Sequence, residues 1–104
     1  HSVVTVGASM LESINRINAD LFFMGVTGVH PAAGLTTGNY EEATVKRALA
    51  GRAAETVVLA SAEKLNSASA FAIGDLSLAS TLIVETQPDD ALQLALSQQG
   101  VTII

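Results

Sequence analysis

The chain contains no cysteine and no tryptophan, and it has five lysine and arginine side chains against ten acidic ones. The lack of cysteine excludes a disulfide framework and a thiolate metal site, and it fits an intracellular protein. Nucleic-acid binding requires several clustered cations, so a net charge of −5 argues against DNA binding by this chain itself. The sequence has no run of roughly eighteen or more apolar residues, so we expect no membrane-spanning helix.

Charge of either sign is also scarce. Charged residues make up 14% of the sequence, against roughly 25% in ordinary soluble domains, and apolar residues make up 49%. This composition predicts one domain that buries part of its surface against other protein, either in a homo-oligomer or against a missing part of the same protein. An alanine-rich monomer is the alternative. The chain begins with His1 and Ser2, without a methionine or a signal peptide, which predicts a fragment.

Apolar runs alternate with helix-capping signals along the chain. The patterns predict helices that begin after the caps Ser9, Asn39 and Thr86. They predict strands at Leu21–Met24, Thr56–Ala60, Phe71–Ile73, Thr81–Val84 and Val101–Ile104. The first two of these are continuous apolar runs, which are typical of strands covered on both faces of a parallel sheet. The predicted fold class is therefore α/β, with a mostly parallel sheet flanked by helices.

The connection Gly25–Asn39 holds four of the eight glycines of the chain. The sequence predicts a structureless segment here, and a connection of this length in a small domain is usually a binding loop. Glycine allows backbone N–H groups to face a ligand without a side chain in the way. The N-terminus of the helix that follows would favour an anion such as phosphate.

Ligands of open parallel sheets bind beyond the carboxyl ends of the strands. Two predicted loops leave such ends, Gly25–Asn39 and Ser61–Ser69, and we expect them to face one cleft if their strands are neighbours. Their hydroxyl, amide, imidazole and ammonium groups suit a polyhydroxylated anion such as a sugar phosphate. The candidate residues of this cleft are Thr27, His30, Thr36, Thr37, Asn39, Lys46, Lys64 and Asn66.

Several candidates also have a plainer structural role. Thr36 and Thr37 fit a turn, Asn39 fits a helix cap, and both lysines fit solvated surface positions. His30 has no second ligand near it in the sequence, so no metal site is predicted. The glycine spacing differs from the dinucleotide-binding motif, and no Walker lysine follows a glycine. No Ser-His-acid or paired-carboxylate pattern is present, and we expect no cofactor.

Three segments together carry a resemblance to a known family. They are Ala19–Thr37, with its Gly-x-x-Gly and Gly-Leu-Thr-Thr motifs, the helix sequence Glu42-Ala-Thr-Val-Lys-Arg47, and Leu59-Ala-Ser-Ala-Glu-Lys64. From about Gly7 to Val84 the chain resembles the C-terminal sensor domain of DeoR-family transcriptional regulators. The resemblance implies a fold similar to ribose-5-phosphate isomerase and glucosamine-6-phosphate deaminase, truncated here in its N-terminal half.

The resemblance also implies a function. Such sensors belong to cytoplasmic bacterial regulators, bind phosphorylated sugars or similar anionic metabolites, and thereby change the DNA affinity of a homo-oligomer. DNA binding resides in a winged helix-turn-helix domain outside this chain, so residues 1–104 form a single, partial sensor domain. The residues expected to bind the metabolite are Gly25, Thr27, Gly28, Thr36, Thr37, Lys46 and Lys64.

Two departures from the family pattern bear on activity. The family often has an acidic residue at the position of Thr27, and another at the position of Ser61. The related isomerases use a carboxylate as general base, so a threonine at position 27 argues against an isomerase. A sugar-phosphate isomerase or deaminase remains the enzymatic alternative, and an assembly module without a ligand is the structural one.

Overall fold

The computed structural model describes the backbone of residues 8–104 and the side chains of residues 11–104. Its helices are α1 (Ala8–Ile14), α2 (Tyr40–Arg52) and α3 (Asp90–Gln98). Its strands are β1 (Ala19–Gly25), β2 (Gly28–His30), β3 (Gly34–Thr37), β4 (Ala53–Ala60), β5 (Phe71–Gly74), β6 (Thr81–Val84) and β7 (Thr102–Ile103). Short 3-10 helices cover Ala62–Lys64 and Leu76–Leu78.

Two sheets organise these strands. The larger sheet has the order β1-β4-β6-β7, and every neighbouring pair in it is parallel. The smaller sheet, β2-β3-β5, is antiparallel. Helices α2 and α3 each lie between two parallel strands in the chain, as parallel pairing requires. The predicted α/β class with a mostly parallel sheet is confirmed.

The core lies against one face of the parallel sheet. Met24, Val58 and Leu82 project from β1, β4 and β6 into it, and each is at most 1% exposed. Leu92 and Leu96 of α3 pack into the same cluster, because they lie one helical turn apart on one side of the helix. The small sheet and α2 complete the cluster with Val29, Leu35, Ile73 and Ala43.

The opposite face of the parallel sheet is apolar and exposed. Phe23 on β1 is 58% exposed, and Leu59 and Ile83, which are register partners on β4 and β6, are 41% and 38% exposed. The prediction that β1 and β4 are covered on both faces is therefore wrong for the part of the chain described. A continuous apolar run shows that both sides of a strand are apolar, but no described element packs on this side. Among the described residues, no helix is long and apolar enough to cross a membrane.

The helix caps are set by short polar side chains. The prediction for α2 is confirmed, because Asn39 Oδ1 accepts a hydrogen bond from the backbone N–H of Glu42 at 2.9 Å. The prediction for α3 is wrong by three residues, since Asp89, not Thr86, accepts from the backbone N–H of Leu92. Pro88 is buried and precedes this cap directly. The predicted cap Ser9 lies outside the residues whose side chains are described.

One arginine fastens α2 to the small sheet. Arg47 Nε donates to the carbonyl of Ile73, and its Nη2 donates to the carbonyl of Ala72, both at 2.7 Å. Two donors at a fixed angle meet two successive carbonyls of β5, a geometry that the guanidinium provides and an ammonium does not. This contact holds α2 against β5, an edge strand of the small sheet.

Arg47→Lys is expected to lower the free energy of unfolding by about 1–2 kcal/mol, because at least one charge-assisted hydrogen bond is lost while the charge is kept. Urea unfolding of the chain measures this cost. Arg16→Lys is the matched control, since Arg16 forms a surface pair with Glu12 at 3.7 Å and its side chain is 77% exposed. Equal stability of both variants would show that the Arg47 contact does not hold α2 in place.

Candidate functional site: the carboxyl edge of the parallel sheet

Three parallel strands end side by side at one edge of the sheet. β1 ends at Gly25, β4 at Ala60 and β6 at Val84, and Gly25 pairs with Leu59 while Ala60 pairs with Val84. The segments that leave these ends therefore start close together. An open cleft of about 440 Å³ lies at this edge, lined by Val26, Leu59, Ala60, Ser61, Ile83, Val84 and Glu85.

The glycine-rich segment after β1 is an ordered hairpin. β2 pairs with β3 through Gly28 with Thr36, Val29 with Leu35, and His30 with Gly34. The prediction of a structureless loop is wrong, because Val29 and Leu35 are at most 1% exposed and anchor both strands in the core. Gly34 turns the chain with a φ of +78°, a conformation that glycine adopts without strain.

A cluster of three hydroxyl groups joins this hairpin to the segment after β4. Thr27 Oγ1 and Ser69 Oγ are 2.6 Å apart, and the backbone N–H of Ser69 donates to Thr36 Oγ1 at 2.8 Å. The backbone N–H of Thr27 also donates to the carbonyl of Thr36 at 3.0 Å. Ser69 of the second predicted loop thus contacts Thr27 and Thr36 of the first, as expected for two loops that share one edge. Thr27 is exposed, whereas Thr36 is 2% exposed and is hydrogen-bonded to Thr27 through its backbone carbonyl.

Gly28 makes the close approach of these segments feasible. A Cβ atom at this position would overlap with Thr36 Oγ1 and with the backbone carbonyl of Ser67. The lack of a side chain at Gly28 therefore allows the backbones of the hairpin and of segment 61–69 to approach closely. Its φ lies outside the left-handed region, so the constraint is one of space alone.

Lys46 lies at the end of β1. Its Nζ donates to the carbonyl of Gly25 at 2.7 Å and lies 3.4 Å from Glu42 Oε1. The same carboxylate oxygen accepts from Thr37 Oγ1 at 3.4 Å. The side chain of Lys46 remains 23% exposed, so its ammonium group brings positive charge to the carboxyl edge while it is held in place.

The N-terminus of α2 is a weaker anion site than predicted. Asn39 occupies the backbone N–H of Glu42, and the carbonyl of Asn39 accepts from Ala43 N. Glu41 and Glu42 add two carboxylates to the first helical turn, which repel an anion. Positive charge at this edge therefore comes from Lys46 rather than from the helix.

Three other candidates have structural contacts. Lys64 pairs with Glu63 at 3.9 Å, and within residues 11–104 no hydrogen bond or ion pair links it to the hydroxyl cluster. The Ser61 hydroxyl, with a backbone hydrogen bond, lowers the pKa of Glu63. Asn66, with a φ of 63°, donates through Nδ2 to Asp89 at 2.9 Å and joins its segment to α3. His30 Nδ1 accepts from the backbone N–H groups of Ala32 and Ala33 and closes the hairpin turn.

The structure adds two residues that sequence reasoning did not select. Ser69 completes the hydroxyl cluster, and its one sequence signal is its place at the end of the predicted loop 61–69. Glu85 lines the cleft because it directly follows β6, and the rule of strand ends could have found it. Within the described part of the chain, no group of three or more histidine, aspartate or glutamate side chains is arranged to hold a metal ion.

An open parallel sheet with ordered loops at its carboxyl edge is the architecture of α/β ligand-binding domains. The chain belongs to the family described as the DeoR C terminal sensor domain, whose model matches residues 1–86. The resemblance read from the three sequence segments is therefore confirmed. By that description the chain is a sensor domain.

Three relatives share substantial parts of the sequence. The chain is 29% identical over 98 residues to the HTH-type transcriptional repressor GlcR of Bacillus subtilis, an alignment that covers 94% of this chain and 38% of GlcR. It is 29% identical to the HTH-type transcriptional regulator GlpR of Haloferax volcanii, covering 95% of this chain and 39% of GlpR. It is 37% identical over 79 residues to the uncharacterized HTH-type transcriptional regulator FruR of Bacillus subtilis, covering 73% of this chain and 32% of FruR. The chain thus spans well under half the length of these relatives.

Proposed function

We propose that this chain is the effector-sensing part of a transcriptional repressor of sugar metabolism. It binds a phosphorylated sugar or a similar anionic metabolite at the carboxyl edge of the parallel sheet. The observation that carries this proposal is the position of the hydroxyl cluster and the Lys46 ammonium group around the end of β1. These groups do not line the open cleft themselves, but Val26, between Gly25 and Thr27, does. The membership in a sensor-domain family supports the same role.

The chemistry of the edge supports a sugar phosphate. Thr27 is exposed and offers a hydroxyl that both donates and accepts, and Lys46 offers a held positive charge for the phosphate. Thr36, Thr37 and Gly28 act by holding this arrangement, because the threonines are 2% exposed and the glycine allows the segments to meet. Gly25 places its carbonyl on Lys46, and Lys64 supplies a second, more distant charge.

The effector would act through a population shift. A metabolite that binds one arrangement of the full-length protein more tightly than the other favours that arrangement. The shift in the equilibrium is limited to the difference between its binding free energies for the two arrangements. We propose that the two arrangements differ in DNA affinity, with DNA bound by a winged helix-turn-helix domain outside residues 1–104. We also propose a cytoplasmic homo-oligomer, which is supported by the 14% content of charged residues and the exposed apolar sheet face.

We propose binding without turnover. Thr27 stands where the family often carries an acidic residue, and its described neighbours are hydroxyl and backbone groups rather than a general base. A hydroxyl group at this position does not abstract a carbon-bound proton at neutral pH. An isomerisation assay on the full-length protein with hexose and pentose phosphates tests this, and measurable turnover would contradict it.

A thermal-shift series on the full-length protein tests the binding proposal. The probes are glucose 6-phosphate, fructose 1-phosphate, ribose 5-phosphate, glycerol 3-phosphate and inorganic phosphate. At a probe concentration of about 100 times Kd, binding stabilises the folded protein by about 2.7 kcal/mol. We expect at least one phosphosugar to raise the unfolding midpoint, and indifference to every phosphosugar would contradict the proposal.

Lys46→Met is expected to weaken binding of the active phosphosugar about tenfold, because the positive charge at the end of β1 is removed. The midpoint without ligand is measured for each variant, so that loss of the Glu42 pair is separated from loss of binding. Arg16→Gln is the matched control, since it removes a cation from an exposed surface pair. Equal binding by wild type and Lys46→Met would place the phosphate elsewhere.

A further inference from the structure

The cleft at the carboxyl edge has an apolar side and a charged end. Leu59 and Ile83 are register partners on β4 and β6, and their side chains lie on the exposed sheet face. Val26, directly after β1, lines the cleft at its other side. Among the residues that line the cleft, Glu85 provides the carboxylate, and it directly follows β6.

The Glu85 carboxylate is free to accept hydrogen bonds. Among the described residues it has no hydrogen bond or ion pair, and its side chain is exposed. The nearest fixed cations along the edge have other partners, since Lys46 binds the Gly25 carbonyl and Lys64 pairs with Glu63. An ionised carboxylate accepts hydrogen bonds and donates none, so its natural partners are hydroxyl or ammonium groups.

The two ends of the edge differ in charge. Lys46, which is paired with Glu42 at 3.4 Å, contacts the last residue of β1, whereas the carboxylate of Glu85, unpaired within the described part of the chain, follows β6, with β4 between these strands. Two strand spacings separate β1 from β6, which is roughly 10 Å. A phosphate group is attracted to the β1 end and repelled from the β6 end. This polarity favours an orientation in which the phosphate of a sugar phosphate faces Lys46 and its hydroxyl groups face Glu85.

We propose that Glu85 is the specificity-determining residue of the effector site. It accepts hydrogen bonds from hydroxyl groups of the sugar, whose C–H surfaces pack on Leu59 and Ile83. Glu85 thus selects a polyhydroxylated phosphate ester over a bare phosphate ion, which it repels. This inference rests on the proposed function and assigns a residue and an orientation to it.

Variants of Glu85 in the full-length protein test the assignment by thermal-shift titration with the five probes named above. Glu85→Ala is expected to weaken binding of the active phosphosugar at least tenfold, while binding of inorganic phosphate is unchanged or tighter. Glu85→Gln keeps one acceptor oxygen and is expected to weaken binding of the active phosphosugar about three- to tenfold. Because Glu85 is exposed, both variants should keep the unfolding midpoint of the wild type without ligand.

Glu55→Gln is the matched control. Glu55 is an exposed acid on β4 near the amino end of the strand, and it does not line the cleft. We expect this variant to bind the phosphosugar as the wild type does. If the wild type shifts with a phosphosugar and Glu85→Ala retains that affinity within twofold, the assignment of Glu85 is overturned while the proposed function stands. If no phosphosugar shifts the wild type, both are overturned.

Discussion

Gly28→Ala is expected to destabilise the chain by about 2 kcal/mol and to abolish binding of the effector. The added methyl group would overlap with Thr36 Oγ1 and with the carbonyl of Ser67. A backbone carbonyl cannot rotate away as a flexible side chain can, so the hairpin and segment 61–69 must separate. Overpacking of this kind costs roughly 1–3 kcal/mol. The same separation pulls Ser69 from Thr27 and dissolves the hydroxyl cluster.

Urea unfolding of the chain and thermal-shift titration of the full-length protein measure the two effects of Gly28→Ala. Gly38→Ala is the matched control, because a Cβ atom at Gly38 meets no atom within 4 Å and its φ lies outside the left-handed region. We expect this control to keep stability and binding. A Gly28→Ala protein with wild-type stability and affinity would show that the close approach of the two segments is not needed.

Met24→Ala is expected to cost about 2–5 kcal/mol of unfolding free energy, whereas Phe23→Ala costs less than about 1 kcal/mol. The two residues are neighbours on β1, but their side chains point to opposite faces of the sheet. Met24 is 1% exposed and lies in the core cluster, while Phe23 is 58% exposed on the open face. Phenylalanine is larger than methionine, so size alone would predict the larger cost for Phe23→Ala. The face of the sheet on which each side chain lies predicts the opposite order.

Urea unfolding of the two single variants measures this difference directly. Phe22→Ala adds a second residue on the Met24 side, since Phe22 packs partly buried against the core, and we expect an intermediate cost. A cost of 2 kcal/mol or more for Phe23→Ala in the isolated chain would show that its face is covered in solution.

Much of the fold could be predicted from the sequence because buried strands leave a strong local signal. Leu21–Met24 and Thr56–Ala60 each mark a strand of the parallel sheet, although the strands extend beyond both runs. Helix α2 begins directly after Asn39, because the cap is a local hydrogen bond between near neighbours in sequence. Local chemistry thus predicts these features, although it misplaces the cap of α3 by three residues.

The β2–β3 hairpin could not be predicted, because its strands leave no strong local signal in the sequence. β2 and β3 have three and four residues, which is too short for a periodic pattern, and their glycines and threonines are common in loops. The strands form because Val29 and Leu35 bury themselves against distant parts of the chain. The same holds for the site: Ser69 lies 42 positions after Thr27, and only the fold brings them together.

Two predicted features of the site change in the structure. The sequence predicts an anion site at the start of α2, but the first turn of this helix carries Glu41 and Glu42, and Asn39 occupies one of its N–H groups. The sequence also predicts Lys46 as a nearby charge, and in the structure it lies at the end of β1 on the Gly25 carbonyl. The positive end of the proposed site therefore rests on one side chain from a neighbouring helix.

Backbone hydrogen exchange of the full-length protein, with and without its stabilising phosphosugar, tests the location of the site most directly. We expect the metabolite to slow exchange in segments 25–28, 36–38 and 61–69, since these surround the carboxyl edge. Exchange in the C-terminal turn of α3, around Gln98, should change much less in the same experiment. Protection confined to regions outside these three segments and outside residues 84–85, which also line the cleft, would contradict the proposed site at the carboxyl edge.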